Sequence, residues 1–354
     1  MIRLERHPLS WMLEIFIPLI AAAIVTVFVL STFVFLGTPF LTAIRLMIEG
    51  AFGSAAAVNT MLARSVPLML TGLATLLAFR VRLNNFGAEG QLLAGVLAVI
   101  AIGFLKPPPS MLVMGGIAAG TLAGALMMAI PTVLKKRLGA DEAIVTLLLN
   151  VVAMTAIAIA TGSSIQNLAP VGLNQILPFV GLLPATQPVI GVRNLIGLAI
   201  AGCLCIIVFA VIRYTVIGFS IRATGGNPMA ARFAGIATGR VFMIAGSASG
   251  ALAGFAGASL ATGIIGNMQA GMTLGLGYAG IAVALLAGRW PLAIIPAALF
   301  VSSLLAGIEM LARIPQIQAA LAGMAIALTM LATLAASALI RLRPRIARLD
   351  KRPQ

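Results

Sequence analysis

Apolar residues along this chain gather into runs of about 18 or more, long enough to cross a hydrocarbon core of roughly 30 Å as a helix. Short stretches carrying Arg, Lys, Pro and Gly separate the runs. Read against those boundaries, the pattern predicts ten spans, at 15–36, 65–80, 87–105, 111–134, 143–161, 194–213, 240–262, 275–289, 291–310 and 318–340. The second and eighth are short, and are expected to be half-spans or helices broken at the neighbouring Gly and Pro. Residues 40–63 form an amphipathic piece carrying Arg45 and Glu49, expected at the membrane surface or over the helix ends. The first run is too long for a signal-peptide core and no small-residue cleavage motif follows it, so it is expected to be retained. The expected fold is an all-α polytopic membrane protein, with 1–354 as a single transmembrane domain.

Composition agrees with that pattern. Of 354 residues, 61% are hydrophobic and 9% charged, where a soluble domain carries roughly 25% charged residues. The net charge of +15 would point to nucleic acid in a soluble protein. Here the charges punctuate apolar runs instead of forming a patch, as in cytoplasmic loops beside anionic lipid headgroups, so no nucleic-acid partner is expected. With ten spans and a cytoplasmic N-terminus, 18 of the 23 Lys and Arg fall on the cytoplasmic side, six of them in the basic tail 341–354. An odd number of spans would place one basic end outside. Both termini are therefore expected in the cytoplasm.

Other features narrow the chemistry. Cys203 and Cys205 lie two apart on a helix, point to different faces and are expected to be packing residues. His7 is the only histidine, and no other cluster suits a metal. Gly246, Gly250, Gly254 and Ala258 recur at four-residue spacing in the seventh span, a stripe that lets helix backbones touch. No internal repeat is visible, although the halves near 1–162 and 194–340 each offer about five spans.

Three segments differ from membrane filler. In Arg82-Leu-Asn-Asn-Phe-Gly-Ala-Glu-Gly-Gln91, Glu89 and Gln91 enter a run with no further charge until Lys106. A carboxylate there either faces a cavity or partner, with Gly87 and Gly90 allowing irregular backbone, or sits in the first turn of a helix capped by Asn85. In Gly139-Ala-Asp-Glu-Ala-Ile-Val-Thr-Leu-Leu-Leu-Asn150, Asp141 and Glu142 open a helix. Thr146 and Asn150 then share one face, either lining a path or bonding to a neighbouring helix. The loop 217–240 contains Arg222-Ala-Thr-Gly-Gly-Asn-Pro-Met-Ala-Ala-Arg-Phe-Ala-Gly-Ile236. Gly225-Gly226-Asn227 is expected to turn, with Asn227 as N-cap, Pro228 at the first helical position and Gly235 as the stop. The short basic helix so defined reads as a docking element or an interfacial helix.

Together these segments resemble the permease subunits of bacterial ABC importers. The resemblance is to the branched-chain amino-acid and ribose permease family, within it the nucleoside and simple-sugar branch. Asn85-Phe-Gly-Ala-Glu-Gly-Gln91 looks like that branch's signature with Phe86 in place of the usual Ile. Asp141-Glu142 with Asn150 looks like its Asn-Glu…Leu-Asn segment with Asp in place of Asn. Gly226 to Ile236 is similar to the family's cytoplasmic coupling loop, and Gly277-Tyr-Ala-Gly-Ile-Ala-Val-Ala-Leu-Leu-Ala-Gly288 with Pro291 to its eighth-span motif. The likeness runs from about Ser65 to Leu305. It implies a second permease subunit, alike or different, two cytoplasmic ATPase subunits and an extracytoplasmic solute-binding protein, in a bacterial inner membrane. It also implies that Gly226, Asn227, Ala230, Ala231 and Gly235 engage the ATPase. Glu89, Gln91, Thr146 and Asn150 are expected along the path, beside the signature loop Asn85, Gly87 and Gly90.

No G-x-x-x-x-G-K-[ST] loop and no nucleophile–base pair occur, so the chain is expected to be no enzyme, to need no cofactor, and to leave ATP to its partner. An ion-coupled secondary carrier is the competing class, for which Glu89 and Glu309 are the acidic residues available. A membrane enzyme or scaffold is disfavoured by the lack of paired catalytic residues. Few charges along the expected path suit a neutral polar solute such as a nucleoside or simple sugar, with a branched-chain amino acid as the alternative.

Overall fold

The computed structural model describes residues 3–5, 11–35, 38–105, 107–161, 192–264, 275–311 and 343–345. The predicted tenth span, 318–340, the segment 162–191 and most of the basic tail lie outside them. The helices in chain order are α1 (Trp11–Phe35), α2 (Phe40–Phe52), α3 (Ala55–Arg80), α4 (Ala88–Gly103), α5 (Pro109–Leu138) and α6 (Glu142–Thr161). There follow α7 (Val192–Tyr214), α8 (Val216–Gly226), α9 (Pro228–Phe233), α10 (Thr238–Ser259), α11 (Leu276–Ala287) and α12 (Ile294–Leu311). A π turn, Leu260–Ile264, extends α10, and a 3-10 turn, Pro291–Ala293, leads into α12. Arg3–Glu5 and Arg343–Arg345 pair as a short antiparallel ladder. Among the described residues, six helical stretches are long and apolar enough to cross a membrane: Ala55–Arg80, Ser110–Leu138, Glu142–Ala160, Leu195–Tyr214, Thr238–Thr262 and Pro291–Leu311. Shorter apolar stretches are Ala22–Phe35, α4 and α11.

The second run is not a half-span. The expected surface piece at 40–63 divides into α2 and the first part of α3, whose 26 residues begin where Ser54 accepts a hydrogen bond from the Ala57 N–H. Arg64 marks the predicted boundary, but it pairs with Glu309 on α12 at 2.6 Å. The neutralised charge lets the helix run through. The eighth run does stay short: α11 has 12 residues, a rise of about 18 Å.

α3 is the central helix. Nearly all of its length from Met61 to Ala78 is buried, against α2, α7, α10, α11 and α12. By contrast α6 and α7 bury few of their apolar side chains and leave Leu148, Val151, Ile200 and Ile206, among others, exposed. An apolar outer surface is what lipid demands.

α5 packs on α10 along the small-residue stripe. A Cβ on Gly250 would collide with the Gly124 carbonyl, and one on Gly254 with that of Gly120. Likewise a side chain at Gly95 on α4 would strike the Gly254 carbonyl. Three helices thus meet backbone to backbone, where dispersion contacts and not hydrophobic transfer hold helices together in lipid. α5 ends where Gly139, at φ +66°, donates to the Lys135 carbonyl. Cys203 and Cys205 are both free, Cys203 exposed and Cys205 buried.

Gly254→Val is expected to destabilise the chain by about 3 kcal/mol, the upper part of the range for overpacking, because backbone must move. Gly202→Ala, where no atom stands within 4 Å, is expected to leave stability unchanged or slightly raised. Thermal unfolding in detergent, read side by side for the two variants, checks this.

Candidate functional site

The segment between α3 and α4 turns sharply at Arg82, whose φ of +58° makes it the one positive-φ non-glycine among the described residues. The chain then passes inward through Leu83 and Asn85, both fully buried, to Gly87, which stands at the N-cap of α4. Asn85 is therefore not the helix cap. Its Oδ1 accepts from the Gly87 N–H (3.0 Å) in a turn ahead of the helix, and from Gln91 Nε2 (2.9 Å). Its Nδ2 donates to Gln91 Oε1 (3.0 Å) and to Ser249 Oγ on α10 (2.9 Å). The Ser249 hydroxyl in turn donates to the Ala74 carbonyl of α3 (2.7 Å).

Glu89 lies in the first turn of α4 and is 1% exposed. Its Oε2 accepts from the Gly277 N–H at 2.7 Å, in the first turn of α11. Two helix N-termini therefore converge on one carboxylate, and both dipoles favour its negative charge. The approach requires glycine: a Cβ at 277 would run into the backbone of Glu89.

α6 supplies the facing polar pair. Asn150, fully buried, accepts from the Gly90 N–H (2.9 Å) and donates to the Phe86 carbonyl (2.8 Å) and to the Tyr278 hydroxyl (3.1 Å). Thr146 donates to its own helix at Ala143 (3.0 Å), and its Cβ packs so closely that no side chain fits at Gly87. Asp141 caps α6, its Oδ1 accepting from the Ala143 N–H (2.8 Å). Glu142, nearly buried, accepts from Lys135 Nζ (2.6 Å) and from the Asn84 N–H (3.1 Å).

Asn85, Gly87, Glu89, Gly90, Gln91, Thr146 and Asn150 thus form one polar hub where α4, α6, α10 and α11 meet. In this conformation Glu89, Gln91, Thr146 and Asn150 are each at most 1% exposed. An open apolar groove of about 670 Å³ lies instead on the face formed by α4, α5 and α6, lined by residues such as Leu97, Met127, Ile130 and Val152. Ser249 and Tyr278 belong to the hub but were not singled out by the sequence reading. Ser249 sits inside the small-residue stripe, which reads as packing, and Tyr278 within the 277–288 motif without a separate signal.

The second candidate element stands apart from the hub. Gly225 and Gly226 do not turn: they are the last turn of α8. The direction changes at Asn227, whose Oδ1 accepts from the N–H groups of Met229 (3.0 Å) and Ala230 (3.2 Å) to open α9. Pro228 takes the first helical position, and Gly235 (φ +80°) ends the helical turn. Gly226, Ala230 and Gly235 are exposed, whereas Ala231 is buried against the body of the chain. The outward face carries Met229, 61% exposed, and Phe233, 89% exposed. Spacing of four on a short helix was the available sign of that apolar pair.

Asn150→Ala is expected to orphan the Gly90 N–H, the Phe86 carbonyl and the Tyr278 hydroxyl. Each buried group left without a partner costs about 1–3 kcal/mol. A fall in detergent-solubilised melting temperature well beyond that of Thr155→Ala, an exposed site on the same helix, checks the hub's structural weight.

The family model for "Branched-chain amino acid transport system / permease component" matches residues 57–334. The nucleoside ABC transporter permease protein NupB of Lactococcus lactis subsp. cremoris is 32% identical over 269 residues, covering 73% of each chain. The guanosine ABC transporter permease protein NupP of Bacillus subtilis is 31% identical over 270 residues, covering 73% of this chain and 75% of that one. A glucose ABC transporter permease protein of Haloferax volcanii is 31% identical over 257 residues, covering 70% and 67%. The matched stretch contains the hub, α8 and α9 together, and the chain belongs to the branched-chain amino acid transport system permease family, as a multi-pass membrane permease subunit of ABC transporters.

Proposed function

We propose that this chain is the membrane-spanning subunit of an ATP-driven importer in a bacterial inner membrane, moving a nucleoside or simple sugar inward. The observation that carries the reading is α9: a rigidly capped short helix outside the long spans, with Met229 and Phe233 bared to solvent. Large apolar side chains held out on a helix this short fit a protein-docking surface. In this reading ATPase subunits seat there and hydrolyse ATP, a second permease subunit, identical or different, completes the path, and a solute-binding protein delivers cargo from outside. The chain itself uses no cofactor.

The topology proposed is ten spans with both ends in the cytoplasm. The distribution of Lys and Arg supports it, as does the pairing of Arg3–Glu5 with Arg343–Arg345, which brings the two ends together. α9 and the basic end of α5 then face the cytoplasm.

The solute class rests on the names of the relatives, which include nucleoside, guanosine and glucose permeases, and on the sparsity of charge inside the chain. A branched-chain amino acid is the second candidate, from the description of the family. Ion coupling is less well supported, since Glu89 is engaged by a backbone N–H and Glu309 by Arg64. Glu89, Gln91, Thr146 and Asn150, gathered in the hub, are the residues proposed to line the path.

Met229→Asp and Phe233→Asp are expected to cut co-purification of the ATPase subunit at least tenfold while leaving insertion and melting temperature unchanged. A chain that comes down without any ATPase, in wild-type form and folded, overturns the importer reading. Glu89→Gln retains an acceptor for the Gly277 N–H and removes the charge; uptake is expected to drop at least tenfold. Undiminished uptake by that variant would make Glu89 a helix cap and no more.

A further inference from the structure

The docking helix and the buried hub are separate in the chain, and contacts at the end of α8 connect them. Asn227 is at once the N-cap of α9 and the C-cap of α8, its own N–H donating to the Ala223 carbonyl at 3.1 Å. A displacement of α9 therefore acts directly on the last turn of α8. That turn is fastened both to the last residue of α3 and to the segment that follows it. Gly225 rests on the Arg80 carbonyl so closely that no Cβ fits. Arg82 donates from Nε to the Gly225 carbonyl (2.8 Å) and from Nη2 to the Gly226 carbonyl (2.6 Å). A guanidinium fork across the final carbonyls of a helix satisfies groups that the helix leaves open and complements its negative end.

The backbone of the same residue leads into the hub. Arg82 holds φ +58°, a conformation unfavourable for a side-chain-bearing residue and sustained only where its surroundings over-determine it. Its carbonyl accepts from Lys135 Nζ (3.4 Å), and Lys135 is paired with Glu142 (2.6 Å). Glu142 accepts from the Asn84 N–H (3.1 Å), two residues after Arg82. One residue further, Asn85 binds Gln91, Gly87 and Ser249. The route from α9 to the first turns of α4 and α6 is thus a chain of hydrogen bonds and close contacts.

We propose that Arg82 is a positioning residue that makes α9 and the hub move as one body. It carries a push on α9 through the end of α8 to the N-termini of α4 and α6, and through Glu89 to α11. As a description of linkage this stands on the geometry alone; as a step in transport it rests on the importer reading.

Amide hydrogen exchange of the full chain in lipid nanodiscs tests it, with wild type, Arg82→Ala, Arg82→Lys and Gly225→Ala compared. Lysine keeps the charge but cannot bridge two carbonyls as the fork does, so it carries the test should the alanine variant not fold. Expected is an exchange rate raised at least tenfold by Arg82→Ala in both 216–233 and 83–91, including the Gly87 and Gly90 amides. Arg82→Lys should fall between that and wild type, and Gly225→Ala should reproduce the alanine result from the other side of the contact. A rise confined to 216–226, or none, overturns the proposal and leaves Arg82 a local helix cap. In the assembled complex, Arg82→Ala should retain the ATPase subunit and basal hydrolysis but lose at least tenfold of uptake. Coupled exchange in a wild-type chain that recruits no ATPase would sink the importer reading and leave the linkage standing. Uncoupled exchange in a chain that does recruit it would do the reverse.

Discussion

A polar group carried into an apolar helical bundle must find its partner within the protein, because no water is there to serve it. The segment Arg82–Gln91 imposes that constraint on everything around it. It brings Asn85, Glu89 and Gln91 inside, together with the first turn of α4, whose N–H groups need acceptors from outside the helix. Satisfying them calls on Asn150 from α6, Ser249 from α10 and Gly277 from α11. Those helices cannot shift relative to α4 without leaving a buried donor or acceptor unmatched.

Close approach makes the arrangement possible. Gly277 lets α11 reach Glu89, Gly90 lets Asn150 reach the α4 backbone, and Gly87 admits Thr146. The Gly120, Gly124, Gly250 and Gly254 contacts set α5 against α10 at the distance at which Met128 and Ser249 meet the hub. Small residues are thus used in two ways: for backbone contact between spans, and for bringing polar groups within hydrogen-bond range. Only the first use was expected from their four-residue spacing.

Much of the architecture was legible in the pattern of apolar runs, because a hydrocarbon layer demands length and hydrophobicity from every crossing helix. The errors fell where charges inside a run are compensated from afar. Arg64 reads in the sequence as the end of a hydrophobic stretch, whereas in the fold Glu309, far along the chain, pairs with it. Capping was read well at Asn227, where donor and acceptor are three residues apart at most. At Asn85 the side chain instead bonds Gly87 in a turn ahead of the helix, Gln91 inside it and, across the fold, Ser249.

What the sequence determined by itself is what depends on neighbours in the chain: membrane class, most helix boundaries, the cap and stop of α9, and through ordered motifs the family. Which side chains meet was decided by tertiary structure. The sequence could place Glu89 and Gln91 at the start of a span and Thr146 and Asn150 on one helix face, but the fold alone gathered them into a closed hub with Ser249 and Tyr278 and turned Ala231 inward while baring Met229 and Phe233. The physical reason is that helix periodicity assigns a residue to a face, whereas the partner that face finds depends on how closely distant helices approach, and here that distance is set by glycines more than a hundred residues apart.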